Sequence, residues 1–148
     1  MYLEISNPMD YHAALYIRLS KEDENEGPSE SVNNQRSLLN EFVQQHRLTV
    51  FDTYIDDGWS GTNFDRPTFQ RMIADIEAKK GNMVITKDLS RLGRDYILTG
   101  HYMERYFPEH RVRYISLLDG IDTGVDSTAN DITPFRAIMN DMYAKDIS

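Results

Sequence analysis

The fold class of this 148-residue chain can be inferred starting from the segment His12-Ala-Ala-Leu-Tyr-Ile-Arg18. The stretch is short, apolar and rich in strand formers, and a polar loop follows it, so it predicts a buried β-strand. Three further segments predict strands for the same reasons: Leu48 to Ile55, Asn82 to Lys87, and Val112 to Leu117. The chain therefore contains at least four predicted strands, well separated in sequence.

Segments of helical periodicity lie between these strands. The first runs from Ser31 to Arg47, with Ser29 or Ser31 as the possible N-cap. The second is predicted to begin at Pro67 and to stop by Gly81. Its apolar residues recur at i, i+3, i+4 and i+7: Phe69, Met72, Ile73 and Ile76.

Two more helices are predicted in the second half of the chain. The third ends at Pro108, and its apolar face is formed by Tyr96, Gly100, Met103 and Phe107. A loop is predicted from Asp119 to Asn130. The fourth helix has one apolar face, formed by Phe135, Ile138, Met139, Met142 and Tyr143.

Alternation of strands and helices predicts the fold class. Crossovers of this length are right-handed and place helices on both faces of the sheet. We therefore expect an α/β fold with a doubly wound, mainly parallel, four- to five-stranded sheet. Residues 1–148 should form one domain, truncated within its last helix, because that helix ends with apolar positions exposed and no Gly or Pro stop signal.

Composition narrows the functional classes. The chain contains no cysteine, so disulfides, thiolate metal sites and cysteine nucleophiles are excluded. It has no apolar run of membrane-spanning length and no signal peptide, so we expect a cytoplasmic protein without membrane contact. The net charge of −8 argues against a chain whose main task is to grip nucleic acid. Part of this charge is concentrated between Glu22 and Glu30, so the arginines must be judged locally.

Three loops that follow predicted strands hold most of the chemically interesting side chains. The carboxyl ends of parallel strands lie at one edge of a sheet, so these loops should meet in space. The first loop contributes Arg18, Ser20 and Lys21. The second contributes Asp57, Ser60, Asn63 and Arg66, and the third contributes Lys87, Asp88, Ser90, Arg91 and Arg94.

A serine that converges with several arginines indicates chemistry on a phosphate. A phosphodiester repels an attacking alkoxide until cations neutralise its oxygens, and more charge develops in the transition state. Arginine suits this task because its guanidinium stays protonated and matches two phosphate oxygens at once. Arg18 and Ser20 should project to the same side of an extended strand, and Arg91 and Arg94 share a face if a helix has begun there.

At this point the chain resembles the resolvase/invertase family of serine site-specific recombinases. The resemblance covers roughly Tyr11 to the end and rests on four motifs in matching order and spacing. They are Tyr16-x-Arg18-x-Ser20, Gln35-Arg36, Gly58-Trp-Ser60-Gly61 running to Arg66-Pro67, and Leu89-Ser-Arg91-Leu-Gly-Arg94. Two further segments, Asp119 to Thr123 and Ala144 to Ser148, look like the large serine recombinases of conjugative transposons and phages.

The resemblance implies a resolvase-like catalytic domain that cuts and rejoins double-stranded DNA. Ser20 would form a 5′-phosphoserine bond and release a 3′-hydroxyl, with neither metal nor ATP nor any other cofactor. The scissile phosphate would be bound by Arg18, Arg66, Arg91 and Arg94. The supporting residues would be Tyr16, Gln35, Ser60, Asp57, Asp88 and Ser90. The family acts as a homodimer on each site and as a tetramer in the synaptic complex.

Two further expectations follow from this resemblance. The C-terminal DNA-binding region would be absent, so the chain alone should bind DNA weakly. Small resolvases also carry an aspartate immediately before the first arginine of the last motif, where this chain has Ser90. The role of that aspartate cannot be transferred to Ser90, and Asp88 is a possible substitute.

Other functions stay open at this level. A phosphoacceptor or nucleotide-binding domain could use the same strand-end crevice, but the first strand delivers Arg18 and Ser20 where a carboxylate pair is needed, and no Gly-rich phosphate loop is present. A metal-free serine phosphatase lacks a placed base for its water. No Ser-His-Asp triad is evident, because the histidines lie in or beside regular elements. They also lack metal-site spacing.

Overall fold

The computed structural model describes residues 5–20 and 31–124, together with positions 137, 140 and 141. The loop that contains Lys21 and the acidic run, and the apolar face of the predicted fourth helix, therefore lie outside the described residues. A short 3-10 helix, Pro8–Asp10, precedes the first strand.

Five strands form one sheet in the order β2-β1-β3-β4-β5. They are β1 (His12–Leu19), β2 (Thr49–Asp57), β3 (Met83–Thr86), β4 (Arg113–Ser116) and β5 (Ile121–Asp122). The first four pair in parallel, and β5 pairs antiparallel with β4. This confirms the predicted mainly parallel sheet.

Helices cover both faces of the sheet, as expected. They are α1 (Val32–Gln45), α2 (Pro67–Glu77), α3 (Leu89–Leu92), α4 (Tyr96–His101), a π-helical segment (Tyr102–Tyr106) and α5 (Phe107–Glu109). Residues of β1 alternate between two cores: Leu15 and Ile17 pack with α1, whereas Tyr16 packs with α2 and the helices that follow Asp95. The side-chain period of two in a strand produces this division.

Two helix assignments match the sequence patterns closely. Ser31 caps α1, and its Oγ accepts the Asn34 N–H at 3.1 Å. The buried residues of α2 are those that the spacing predicted: Phe69, Met72, Ile73 and Ile76. Burial of such a stripe contributes about 25 cal/mol for each Å² of apolar surface removed from water.

The helix α2 stops before Gly81, so this glycine does not form its C-terminal cap. The helix ends at Glu77, and Lys79 adopts a positive φ of 61°. The Lys79 N–H bonds to the Ile76 carbonyl and the Lys80 N–H bonds to the Asp75 carbonyl, which is the Schellman arrangement that glycine usually supports. Arg47 and Arg111 occupy equivalent left-handed positions after α1 and α5. At these three helix ends, the left-handed position is therefore occupied by a residue other than glycine.

The third predicted helix also differs in detail. The Leu-Ser-Arg-Leu turn α3 is separate, because Gly93 is extended and Asp95 begins a new helix by accepting the Leu98 N–H at 2.8 Å. Arg91 and Arg94 therefore do not share one helix face. The wider π turns place Thr99, Met103 and Phe107 in the core, whereas Tyr96 is exposed.

The loop predicted from Asp119 includes the short strand β5. Its two residues are too few to show an alternating pattern, but tertiary contacts hold them in the sheet. Asp122 binds the Arg113 guanidinium through both carboxylate oxygens, at 2.8 and 2.6 Å. The Thr123 N–H also bonds to the Tyr114 carbonyl.

Candidate active site

The candidate site lies at the carboxyl end of β1. Parity along the strand places Arg18 on the same face as Tyr16, the face that carries α2. Leu19 is paired with Asp57 of β2, and the Gly58 N–H bonds to the Leu19 carbonyl. Ser20 therefore follows directly after a fixed strand end.

Arginines from the three predicted loops come together, and two of their side chains meet at the main-chain carbonyl oxygen of the third. Arg18 Nε lies 3.3 Å from the Arg91 carbonyl, and Arg66 Nη1 lies 3.4 Å from the same oxygen. The Arg91 side chain in turn donates from Nη1 to the Arg18 carbonyl at 3.0 Å. The structure thus brings Arg18, Arg66 and Arg91 together as one arginine cluster.

The arginine cluster and Ser20 are buried in this structure. Arg18 and Arg66 are 0% exposed, Arg91 is 1% exposed and Ser20 is 3% exposed. The guanidinium groups donate largely to main-chain carbonyls, which carry only partial negative charge. Phosphate oxygens could take the places of these carbonyls, because a planar guanidinium donates to either kind of oxygen along the same edges.

Arg66 lies in an aromatic cage below the site. Its Cζ atom lies 4.5 Å from the centroid of the Phe64 ring and 5.0 Å from that of Phe69. Arg66 donates from Nε to the Asn63 carbonyl at 3.0 Å and from Nη2 to the Leu92 carbonyl at 2.7 Å. Its side chain therefore ties the second loop to the third.

Tyr16 connects Arg66 to a buried carboxylate. The Tyr16 hydroxyl accepts from Arg66 Nη1 at 2.9 Å and donates to Asp56 Oδ2 at 2.8 Å. Burial raises the pKa of Tyr16 above its ordinary value, so the hydroxyl stays protonated and keeps donating. Asp56 also accepts the N–H groups of Thr68 and Phe69, at 3.0 and 2.8 Å, in the first turn of α2.

Gln35 holds the main chain before Ser20. Its side chain is buried on α1, and Nε2 donates to the Arg18 carbonyl at 3.2 Å. Arg91 donates to the same carbonyl. Two elements from different parts of the chain therefore fix the peptide that leads to Ser20.

Gly61 separates Arg18 from Arg94. A Cβ atom at position 61 would lie 2.6 Å from Arg18 Nη2 and 3.0 Å from Arg94 Cγ. The Arg94 N–H also bonds to the Gly61 carbonyl at 2.6 Å. Arg94 is partly exposed and lies beside the cluster, and glycine is required for the approach.

The other predicted residues lie at the edge of the cluster. Ser60 makes local contacts: its Oγ lies 2.8 Å from Thr62 Oγ1 and accepts the Thr62 N–H. Asp57 is exposed at the end of β2. Asp88 and Ser90 contact each other and Arg91, through Asp88 Oδ1, Ser90 Oγ and the guanidinium.

Sequence reasoning singled out Asp57 and missed Asp56. Parity along β2 could have found it, because Tyr54 and Asp56 both face the core and Asp56 is paired with Arg18 in the parallel register. Sequence reasoning also missed the structural role of Gly93. A Cβ there would collide with Phe64 and with Thr99, so the glycine allows the Phe64 ring to pack against Arg66.

Two other kinds of feature are absent from the described residues. No group of three or more His, Asp or Glu side chains within them could hold a metal ion. Among the same residues, no helix is long and apolar enough to cross a lipid bilayer.

Comparisons with known proteins agree with the geometry. The family profile described as resolvase, N-terminal domain, matches residues 13–148. The N-terminal catalytic domain of TP901-1 integrase is similar, with 27% identity and a TM-score of 0.73; the match covers 93% of this chain and 98% of that one. A comparison with curated protein sequences found no significant match.

Two further structures are similar. A resolvase family site-specific recombinase from Streptococcus pneumoniae has 25% identity and a TM-score of 0.68, with 91% of each chain covered. The catalytic domain of ISC1926 TnpA, an IS607-like serine recombinase, has 19% identity and a TM-score of 0.61, which concerns the fold alone; 92% of this chain and 78% of that one are covered. With its motifs in order and the family profile spanning nearly the whole of it, the chain belongs to the resolvase family of serine site-specific recombinases.

Proposed function

We propose that the chain cuts and rejoins DNA during site-specific recombination, with Ser20 as the nucleophile. The observation that carries this proposal is the meeting of Arg18 and Arg66 at the carbonyl of Arg91, directly beside the strand end that leads to Ser20. Family membership favours this function over a phosphoacceptor, a nucleotide-binding domain or a phosphatase.

The proposed step is a transesterification. Ser20 Oγ forms a bond to phosphorus and the bond from phosphorus to the 3′ oxygen breaks, which leaves a 5′-phosphoserine and a 3′-hydroxyl. Ser20 loses one proton and the leaving oxygen gains one, so charge and atoms balance. Because one ester replaces another, rejoining by the reverse reaction needs no ATP.

The arginine cluster would supply the positive charge that this step needs. Arg18, Arg66 and Arg91 would exchange carbonyl oxygens for the non-bridging oxygens of the scissile phosphate, and Arg94 would approach from the partly exposed side. Removal of one such donor costs about 2.7 to 4 kcal/mol of transition-state stabilisation in comparable oxyanion sites. Since guanidinium groups neutralise the phosphate in this mechanism, the proposal assigns no role to a metal.

The stoichiometry of cutting favours a tetramer in the synaptic complex. Two duplex sites contain four strands, and each chain offers one Ser20. Four copies are therefore needed to cut all four strands. One homodimer on each of the two double-stranded sites supplies these four copies.

The test is covalent trapping. The full-length protein is incubated with its cognate DNA and denatured, and the adduct is isolated and its attachment site mapped by mass spectrometry. We expect a nucleotide on Ser20, no adduct with Ser20→Ala, and an unchanged yield with the control Ser37→Ala, an exposed serine on α1. Adduct formation should persist in chelator without ATP.

Two results would count against the proposal. An undiminished adduct in Ser20→Ala would eliminate Ser20 as the nucleophile. A requirement for a divalent cation at the cleavage step would contradict the assignment of charge neutralisation to arginine.

A further inference from the structure

Asp88 lies at the start of the α3 turn and contacts two side chains of the same turn. Its Oδ1 accepts from Ser90 Oγ at 2.6 Å, from Arg91 Nε at 3.3 Å and from the Arg91 main-chain N–H at 3.2 Å. Ser90 Oγ in turn accepts from Arg91 Nη2 at 3.0 Å. Asp88, Ser90 and Arg91 thus all contact one another within this turn.

These contacts occupy one edge of the Arg91 guanidinium. The edge formed by Nε and Nη2 meets two oxygens, Asp88 Oδ1 and Ser90 Oγ, which stand where the two oxygens of a single carboxylate would bind in a bidentate pair. The remaining nitrogen, Nη1, points to the Arg18 carbonyl. Asp88 and Ser90 therefore hold the Arg91 guanidinium in its orientation within the cluster.

We propose that Asp88, acting partly through Ser90, is the positioning residue that holds Arg91 for phosphate binding. This inference rests on the proposed function. Asp88 supplies the negative charge of this contact, and the Ser90 hydroxyl extends the contact to Arg91 Nη2. The side chain of Asp88 is 20% exposed and that of Arg91 is 2% exposed, so solvent screens the pair little on the arginine side.

A simpler role for Asp88 is to cap the α3 turn. An asparagine at this position would retain that role, because asparagine caps helices about as well as aspartate and has nearly the same shape. Asp88→Asn therefore removes the charge and keeps the cap. Asp95→Asn is the matched control, because Asp95 caps α4 by accepting the Leu98 N–H in an exposed contact with the main chain.

The experiment measures the rate of Ser20 adduct formation on cognate DNA in a single turnover. Loss of a charge-assisted hydrogen bond corresponds to a slowing of about 10- to 100-fold, which we expect for Asp88→Asn. Ser90→Ala should slow the rate by a smaller factor, because Asp88 still reaches Nε. Asp95→Asn should stay within about twofold of the unchanged protein.

The decisive variant is the double substitution Asp88→Asn with Ser90→Asp. It places one carboxylate directly before Arg91 and should recover at least about tenfold of the rate lost in Asp88→Asn. Ser90→Asp alone sets two carboxylates side by side and should not accelerate the reaction. If Asp88 only capped the α3 turn, Ser90→Asp would not restore the rate in the Asp88→Asn background. Failure of the double variant to recover, or a rate for Asp88→Asn within about twofold of the unchanged protein, would overturn the proposal.

A second measurement needs no DNA and separates this inference from the proposed function. In the folded protein, the exchange of the Arg91 Nε proton with water is followed by NMR. We expect exchange to be at least about tenfold faster in Asp88→Asn, with Asp95→Asn unchanged. Unchanged exchange would refute the positioning role even if Ser20 cuts DNA. Faster exchange without any Ser20 adduct would instead leave the positioning intact and remove the proposed chemistry.

Discussion

Tyr16→Phe tests whether the hydroxyl between Arg66 and Asp56 holds the site together. The substitution keeps the ring, which packs edge-on against Phe69 at 5.6 Å, and removes two hydrogen bonds to charged partners. Hydrogen bonds to charged groups contribute about 1.5 to 3 kcal/mol each. Both partners keep other contacts: Asp56 Oδ2 still accepts from the main chain, and Arg66 Nη1 still reaches the Arg91 carbonyl.

The expected loss in the free energy of unfolding therefore lies near the lower end of this range for each bond, at about 3 kcal/mol for the two bonds together. In a chain of this size, that corresponds to a fall in Tm of about 6 to 12 °C. The assay is urea unfolding followed by circular dichroism, with thermal unfolding beside it. Adduct formation at Ser20 should also slow, because Arg66 loses one of its fixed contacts.

Tyr54→Phe is the control for this prediction. Tyr54 is also buried, but its hydroxyl makes one bond, to Asp75 at 2.6 Å, and it lies away from the arginine cluster. The Tyr54→Phe substitution should lower the free energy of unfolding by about 1.5 kcal/mol, half of the loss expected for Tyr16→Phe, and leave cutting unchanged. If Tyr16→Phe loses no more stability than Tyr54→Phe, the connection from Asp56 to Arg66 is not a structural support of the site.

Two further predictions follow from the same region. Gly61→Ala should destabilise the protein by about 1 to 3 kcal/mol and slow cutting, because the new methyl group meets the buried end of Arg18. The control is Gly100→Ala in α4, where the methyl group meets open space, and it should be neutral or stabilising by up to about 1 kcal/mol. Equal urea midpoints for the two variants would contradict this prediction. The raised pKa of Tyr16 means that the unfolded chain releases this proton first as pH rises, so stability present below about pH 10 is lost above it, at up to about 1.4 kcal/mol per pH unit. Tyr16→Phe should reduce that slope between about pH 10 and 11.5, and an identical slope in both proteins would refute it.

Strands and buried helix faces were predictable because burial alone determines their patterns. The stripe of α2 and the two-faced alternation of β1 are local properties, visible in any short window. Helix ends were less predictable. Lys79 takes a left-handed conformation that sequence patterns assign to glycine, because the tertiary fold compensates a local cost of about 1 kcal/mol.

The meeting of the three arginines was predictable, but the contacts that they make were not. Strand-end loops must meet in a parallel sheet, so the approach of Arg18, Arg66 and Arg91 follows from topology. Their acceptors are main-chain carbonyls such as that of Arg91, which every residue possesses and which leave no mark in a sequence. Asp56 was missed for a different reason: only one of two adjacent aspartates faces inward, and it is the one that shares the inward parity of Tyr54 along β2.

The same carbonyl contacts explain how an acidic chain can offer a site for an anion. A carbonyl dipole carries only a partial negative charge, so in a low-dielectric site a phosphate oxygen attracts a buried guanidinium more strongly than a carbonyl does. The contacts are also shared. Arg18 and Arg66 meet at the Arg91 carbonyl, and the Arg91 side chain holds the Arg18 carbonyl. A shift of the turn from Leu89 to Leu92 that frees one guanidinium must disturb the contacts of the other two, so on the proposed mechanism the three arginines should engage the phosphate together and not one after another.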